Sequence, residues 1–221
     1  MKKVLHKLSG FKLGTTLMLI ILVAIWSTPT LGLLLTSIRT QDSAANSGWW
    51  TALADPLGTE WTLQPYINAI NGGMLDSLLN TLIVTIPATV LPLIIAANAA
   101  YAFTFIQFKG REIYFASLVA LMVLPLQSAL IPVLRGFVWF KQTTGIELIG
   151  NFPAAWIVHS AFALPLAIYI LRNYMLTLPP SLLEAARMDG ASYYQIFWKL
   201  VMPMSIPAIA SFAIFQFLWV W

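Results

Sequence analysis

Glu184, Arg187, Asp189 and Lys199 crowd into one short stretch, "SLLEAARMDGASYYQIFWKLVMP" at residues 181–203, of a chain that is otherwise oily. Charges at this spacing suit contact with water or with a polar partner surface. Chemistry elsewhere is sparse. The chain has no cysteine, which excludes thiol catalysis, disulfides and cysteine-ligated metal. There is no HExxH metal motif, and neither His6 nor His159 has a carboxylate close by in sequence. Catalytic and metal-ligating residues are therefore both expected to be absent. No GxxxxGK[ST] phosphate loop is present, so any nucleotide is handled by another chain.

The elements that must position the polar stretch follow from composition. Of 221 residues, 59% are apolar and only 9% charged. A soluble domain carries about a quarter charged residues, so the chain reads as an all-α, polytopic membrane bundle in one domain, 1–221. A bilayer core of about 30 Å needs about 20 apolar residues at about 1.5 Å each. Five spans meet that need, at about 13–38, 77–106, 113–134, 150–171 and 204–221. Barrel strands would instead alternate in polarity over about 10 residues. The first span follows Lys2, Lys3, Lys7 and Lys12, but its apolar run is too long for a cleaved signal and reads as a retained anchor. The chain ends at "FLWVW" inside its fifth apolar run, so the expectation is a C-terminally incomplete chain that lacks the end of this span and a sixth.

With the N-terminus in the cytoplasm, Lys2, Lys3, Lys7, Lys12, Lys109, Arg111, Arg172, Arg187 and Lys199 fall inside, against Arg39, Arg135 and Lys141 outside. That bias sets a multi-pass orientation with the 179–203 loop cytoplasmic. Trp49, Trp50 and Trp61 lie in the long outer segment, either as interfacial anchors or packed within the segment itself.

No charged residue lies within a proposed membrane core, which weakens an ion-coupled carrier. The neutral polar residues Asn80, Asn98, Gln127, Ser128 and His159 admit two readings: a translocation path for a hydroxylated substrate, or interhelical hydrogen bonds, which are favoured for His159. Pro125 and Pro132 are expected to break the helix on both sides of Gln127 and Ser128.

In the polar stretch, Pro179-Pro180 stops the preceding helix. Ser181 and Glu184 form a candidate capping box, Gly190 suits a left-handed helix end, and Ser192 with Gln195 forms a second box. The expected product is helix, glycine turn and a second helix ending near Pro203. Acidic Glu184 and Asp189 flank Arg187, where a lipid-binding helix would be lysine-rich, so a protein partner fits better than headgroups.

This stretch resembles the EAA loop of bacterial ABC-importer permeases, E-A-A, then D-G-A, then an apolar helix ending L-x-x-P. Glu184, Ala185, Ala186, Asp189, Gly190, Ala191, Phe197 and Pro203 fall in place. The resemblance extends through "LNTLIVTIPATV", "FKGRE", "LPLQSALIP" and "LRNYMLTLPP" to the six-span, type I carbohydrate permeases of the maltose-permease G type. "SGWW" and "FAIFQFLWVW" are similar to alpha-glucoside permeases. The resemblance implies a subunit of the bacterial inner membrane that imports a sugar, an oligosaccharide or alpha-glucoside. It implies no cofactor of its own and no enzymatic activity. Its implied partners are a cytoplasmic ABC ATPase pair that binds ATP, a second homologous permease, an extracytoplasmic sugar-binding protein and membrane lipid, with no nucleic acid. ATPase coupling would then rest on Glu184, Ala185, Ala186, Arg187, Asp189 and Gly190. The competing classes are an ion-coupled secondary carrier and a membrane scaffold recruiting a cytoplasmic protein.

Overall fold

The computed structural model describes residues 13–221. The basic residues Lys2, Lys3, Lys7 and Lys12, with His6, lie outside them. The chain, read from sequence as one domain, divides into two compact units, Met1–Ser77 and Leu78–Trp221.

In the first unit, α1 (Leu13–Ser37) carries no charge, and its large side chains are exposed around the whole circumference. A helix apolar on every face has hydrocarbon as its solvent. The chain then folds into short helices, α2 (Gln41–Asn46), α3 (Trp49–Ala54) and α4 (Gln64–Ala69). Arg39, 2% exposed, organises this region. Its guanidinium donates to Ser43 O at 2.8 Å, Gly48 O at 3.2 Å, Ser47 O at 3.4 Å and both serine hydroxyls. Thr40 caps α2 by accepting from Ser43 N. The backbone at Arg39 pairs antiparallel with Trp61, closing the segment on itself. The three tryptophans divide between the two sequence readings. Trp49 lies against Gly32, where a Cβ would meet its indole at 2.8 Å, and Trp61 donates to Pro56 O at 2.8 Å. Trp50 stays 62% exposed.

The second unit holds α5 (Leu75–Phe105, whose first three residues belong to the first unit), α6 (Arg111–Leu121), α7 (Leu126–Thr144), α8 (Phe152–Met175), α9 (Pro180–Met188), α10 (Tyr193–Ile196) and α11 (Met202–Val220). Among the described residues, four helical runs are long and apolar enough to cross a membrane: Gly14–Ser37, Gln64–Phe105, Phe152–Met175 and Tyr193–Val220. Buried small residues line the core, Ala96, Ala97 and Ala100 on α5, Ala163 and Ala167 on α8, and Ala208 on α11. Small side chains let spanning helices approach closely where lipid removes the usual hydrophobic drive.

Three expectations need correction. The interval 113–134 is not one helix: α6 and α7 meet at 103° across a short break. Pro125 holds extended backbone as the N-cap of α7, whereas Pro132 sits inside α7 without ending it. Only the first proline breaks the span, and α7 continues past Arg135 and Lys141. Nor does the helix after Gly190 end at Pro203. It passes through a π-helical turn, Phe197–Val201, into α11. Met202 N–H bonds to Phe197 O, one residue wider than an α turn. That shift takes the proline, which has no N–H to give, into the first turn of α11.

Prolines also explain how the spanning helices of this unit hold one another. Pro87 and Pro92 in α5 deny an N–H to the carbonyls four residues earlier, Ile83 and Ala88. Both carbonyls are served from other helices. Trp156 Nε1 of α8 donates to Ile83 O at 2.8 Å, and Gln216 Nε2 of α11 donates to Ala88 O at 3.3 Å. Such freed carbonyls in a membrane must find protein or water. Trp156→Phe is expected to cost about 1–2 kcal/mol in unfolding from bicelles. The same substitution in a Pro87→Ala background, where alanine restores the N–H, should cost under half as much. An equal cost in both backgrounds would show that the indole does not serve the freed carbonyl.

Candidate functional site

The polar stretch of the second unit is built in layers. α9 starts with Pro179 as N-cap and Pro180 in its first turn, so Ser181 is already helical and makes no cap. The expected Ser181–Glu184 box does not form, because the pre-set φ of Pro180 starts the helix one residue earlier. The Glu184 side chain consequently has no hydrogen bond or ion pair among the described residues and is exposed. The second box does form: Ser192 N donates to Gln195 Oε1 at 2.8 Å, and Gln195 N to Ser192 Oγ at 3.3 Å.

Between them the chain makes a Schellman turn. Ala191 N bonds to Ala186 O and Gly190 N to Arg187 O, both at 3.0 Å, with Gly190 at φ 80°. This 6→1 and 5→2 pair, with a left-handed residue between, terminates a helix and draws together the side chains at either end. Here those are Ala186 and Ala191, both packed on the core. The spacing Ala186, Gly190, Ala191 thus has a local cause.

Two side chains, Arg187 and Tyr101, pin the turn to the end of α5, and Arg172 on α8 serves a carboxyl-terminal carbonyl of the same helix. Arg187 Nη2 donates to Phe105 O at 3.4 Å, with its guanidinium 5.7 Å from the Tyr193 ring centre. Arg172 donates to Phe103 O at 3.4 Å, lies 4.0 Å above the Phe115 ring and pairs with Glu112 at 3.6 Å. Tyr101, 6% exposed, donates to Tyr193 O at 3.0 Å. The last carbonyls of a helix lack intrahelical donors and carry partial negative charge, so cations there are doubly suited. Leu183, 7% exposed, buries the inner face of α9. Glu184, Ala185, Met188 and Asp189 remain on the outside, Met188 at 89% exposure.

Away from this turn, a cavity of about 760 Å³ opens among α6, α7, α8 and α11. It takes in Gln127 and His159 together with Gln216. Of the five neutral polar residues singled out in sequence, only Gln127 and His159 line it. Asn98 is turned back on its own helix, donating to Ile94 O at 2.8 Å, and Ser128 donates to Pro125 O at 2.7 Å. Asn80 is exposed and outside the cavity wall.

Residues 88–221, which hold the turn and the cavity together, match the family described as "Binding-protein-dependent transport system inner membrane component". The chain belongs to this family of transport permeases. It is 46% identical over 212 residues to the "Osmoprotective compounds uptake permease protein GgtD" of Synechocystis, covering 95% of this chain and 69% of that protein. It is 44% identical over 184 residues to the "Alpha-glucoside transport system permease protein AglG" of Rhizobium meliloti, covering 83% of this chain and 47% of that one. Identity to the "Arabinooligosaccharides transport system permease protein AraQ" of Bacillus subtilis is 29% over 215 residues, covering 96% and 73%. The chain therefore spans about two thirds of the first relative and under half of the second.

In this permease, sequence reading missed Tyr101, Trp156 and Gln216 as organising side chains. The prolines at 87 and 92 signalled that two carbonyls of α5 needed donors. Nothing local named the donors, which lie 73 and 128 residues away.

Proposed function

We propose that the chain is the transmembrane permease subunit of a binding-protein-dependent ABC importer that brings a sugar, an oligosaccharide or alpha-glucoside, into the cytoplasm. In this reading the N-terminus is cytoplasmic, and α9 with its glycine turn is the coupling element that docks on a separate ATP-hydrolysing subunit. The observation that carries it is the division of labour on α9. Leu183, Ala186 and Arg187 are committed to the permease itself, while Glu184, Ala185, Met188 and Asp189 face outward with Glu184 unpaired. An anchored base under an exposed carboxylate and small side chains suits a seat for a partner that pushes. The names of two relatives, for alpha-glucosides and arabinooligosaccharides, support an uncharged hydroxylated cargo.

The test is reconstitution of the full-length permease with its partner permease, ATPase and binding protein in proteoliposomes. ATP hydrolysis should rise when the binding protein is loaded, and radiolabelled maltose, sucrose or trehalose should accumulate only with ATP. Accumulation by the permease alone, driven by an ion gradient, would make it a secondary carrier and end this reading.

A further inference from the structure

We infer that the cavity among α6, α7, α8 and α11 is a sugar-contacting station within this chain, with Gln127, His159 and Gln216 as its polar contacts and Phe162, Phe215 and Trp219 as its stacking surface. The inference rests on the importer reading above and adds where, in this subunit, the cargo is held.

The cavity's volume, about 760 Å³, falls in the range of about 300–1,000 Å³ usual for small-molecule sites. Its wall holds no Asp, Glu, Lys or Arg, so it offers nothing to a charged ligand. What it offers is an apolar, aromatic surface with a few neutral donors and acceptors, the chemistry of a pyranose ring with its hydroxyl edge and C–H faces. Phe215 and Trp219 stack on each other 6.1 Å apart at 22°, making one continuous aromatic wall. Gln216 is only 3% exposed, and its amide is oriented by the bond from Nε2 to the Pro92-freed carbonyl of Ala88. That bond uses one N–H and leaves Oε1 as an acceptor for a ligand hydroxyl. A second acceptor comes from Ala161, whose carbonyl is denied its usual donor by Pro165; both residues line the cavity. Gln216 also links the cavity to α5, since its amide serves the Ala88 carbonyl that Pro92 frees.

The absence of native cysteine makes the test clean on this chain. Ala129→Cys and Ala161→Cys place thiols in the cavity wall; Ser211→Cys, whose serine bonds to Pro207 O of its own helix, serves as the control outside it. In the reconstituted complex, the imported sugar among maltose, sucrose and trehalose should slow maleimide labelling at positions 129 and 161. At twice its dissociation constant the slowing is about threefold. Labelling at 211 should not change. Trp219→Leu should alter the uptake ratio of two of these sugars, which a purely structural role would leave fixed. Equal labelling with and without sugar, in a complex that imports it, overturns the inference. So does failure of both thiols to label at all, since the cavity would then be filled by protein. A complex that imports none of the three sugars under ATP overturns the importer reading itself, a distinct result.

Discussion

Gly190→Val should cut binding-protein-stimulated ATP hydrolysis of the importer proposed above by about tenfold or more, while membrane insertion is retained. Gly190 stands at φ 80° as the left-handed residue of the Schellman turn, and nothing lies within 4 Å of where a Cβ would go. The cost of a side chain is therefore backbone strain, not crowding. Left-handed backbone costs an L-residue about 1–2 kcal/mol, and more for a β-branched one. The two turn bonds, from Gly190 N and Ala191 N, are worth about 1 kcal/mol each if they are lost with it. About 1.4 kcal/mol is tenfold in any equilibrium that requires the turn. Gly190→Asn, which tolerates this region, should keep most of the coupling, and that contrast separates strain from a general loss of glycine. Glu184→Ala provides the complementary result. Because the Glu184 side chain bonds to nothing among the described residues, its loss should weaken the proposed ATPase association without loosening α9. Full coupling by Gly190→Val would remove the turn from the mechanism.

Arg39→Met should loosen the α2 segment of the first unit by about 2–3 kcal/mol, the worth of charge-assisted hydrogen bonds from a buried guanidinium. Methionine fills similar volume but offers no donor to Ser43 O, Ser47 O or Gly48 O. Arg39→Lys should not rescue it, since one ammonium cannot span a fork that reaches Ser43, Ser47 and Gly48 together. Amide hydrogen exchange across residues 41–48 should accelerate about 30- to 160-fold if opening is local. Unchanged exchange would mean that the segment is held without the guanidinium, by the Thr40 cap and the pairing of the Arg39 and Trp61 backbones.

Much of this fold was legible because membrane helices write their rules locally. Hydrocarbon tolerates no unpaired backbone, so a long uncharged run means a helix, and runs near 13–38 and 150–171 correspond to α1 and α8. The glycine turn was equally readable, since a left-handed helix end and a Ser-x-x-Gln box depend on neighbours a few residues away. The Ser181 box failed for a reason also local: Pro180 competes for the same helix start and wins.

What the sequence by itself determined was therefore the class of protein, its apolar helices, the polar turn from Pro179 to Gln195 and the resemblance that turn carries. What only the tertiary structure decided was which side chains act together. It aimed Arg187 at Phe105 O and left Glu184 outside, bent 113–134 by 103° at Pro125, and brought Gln127, His159 and Gln216 to one cavity while leaving Asn80, Asn98 and Ser128 out. The physical reason is the range of the interactions. Propensity, capping and hydropathy act over one or two turns, whereas a proline-freed carbonyl accepts from whichever helix comes alongside, however distant in sequence.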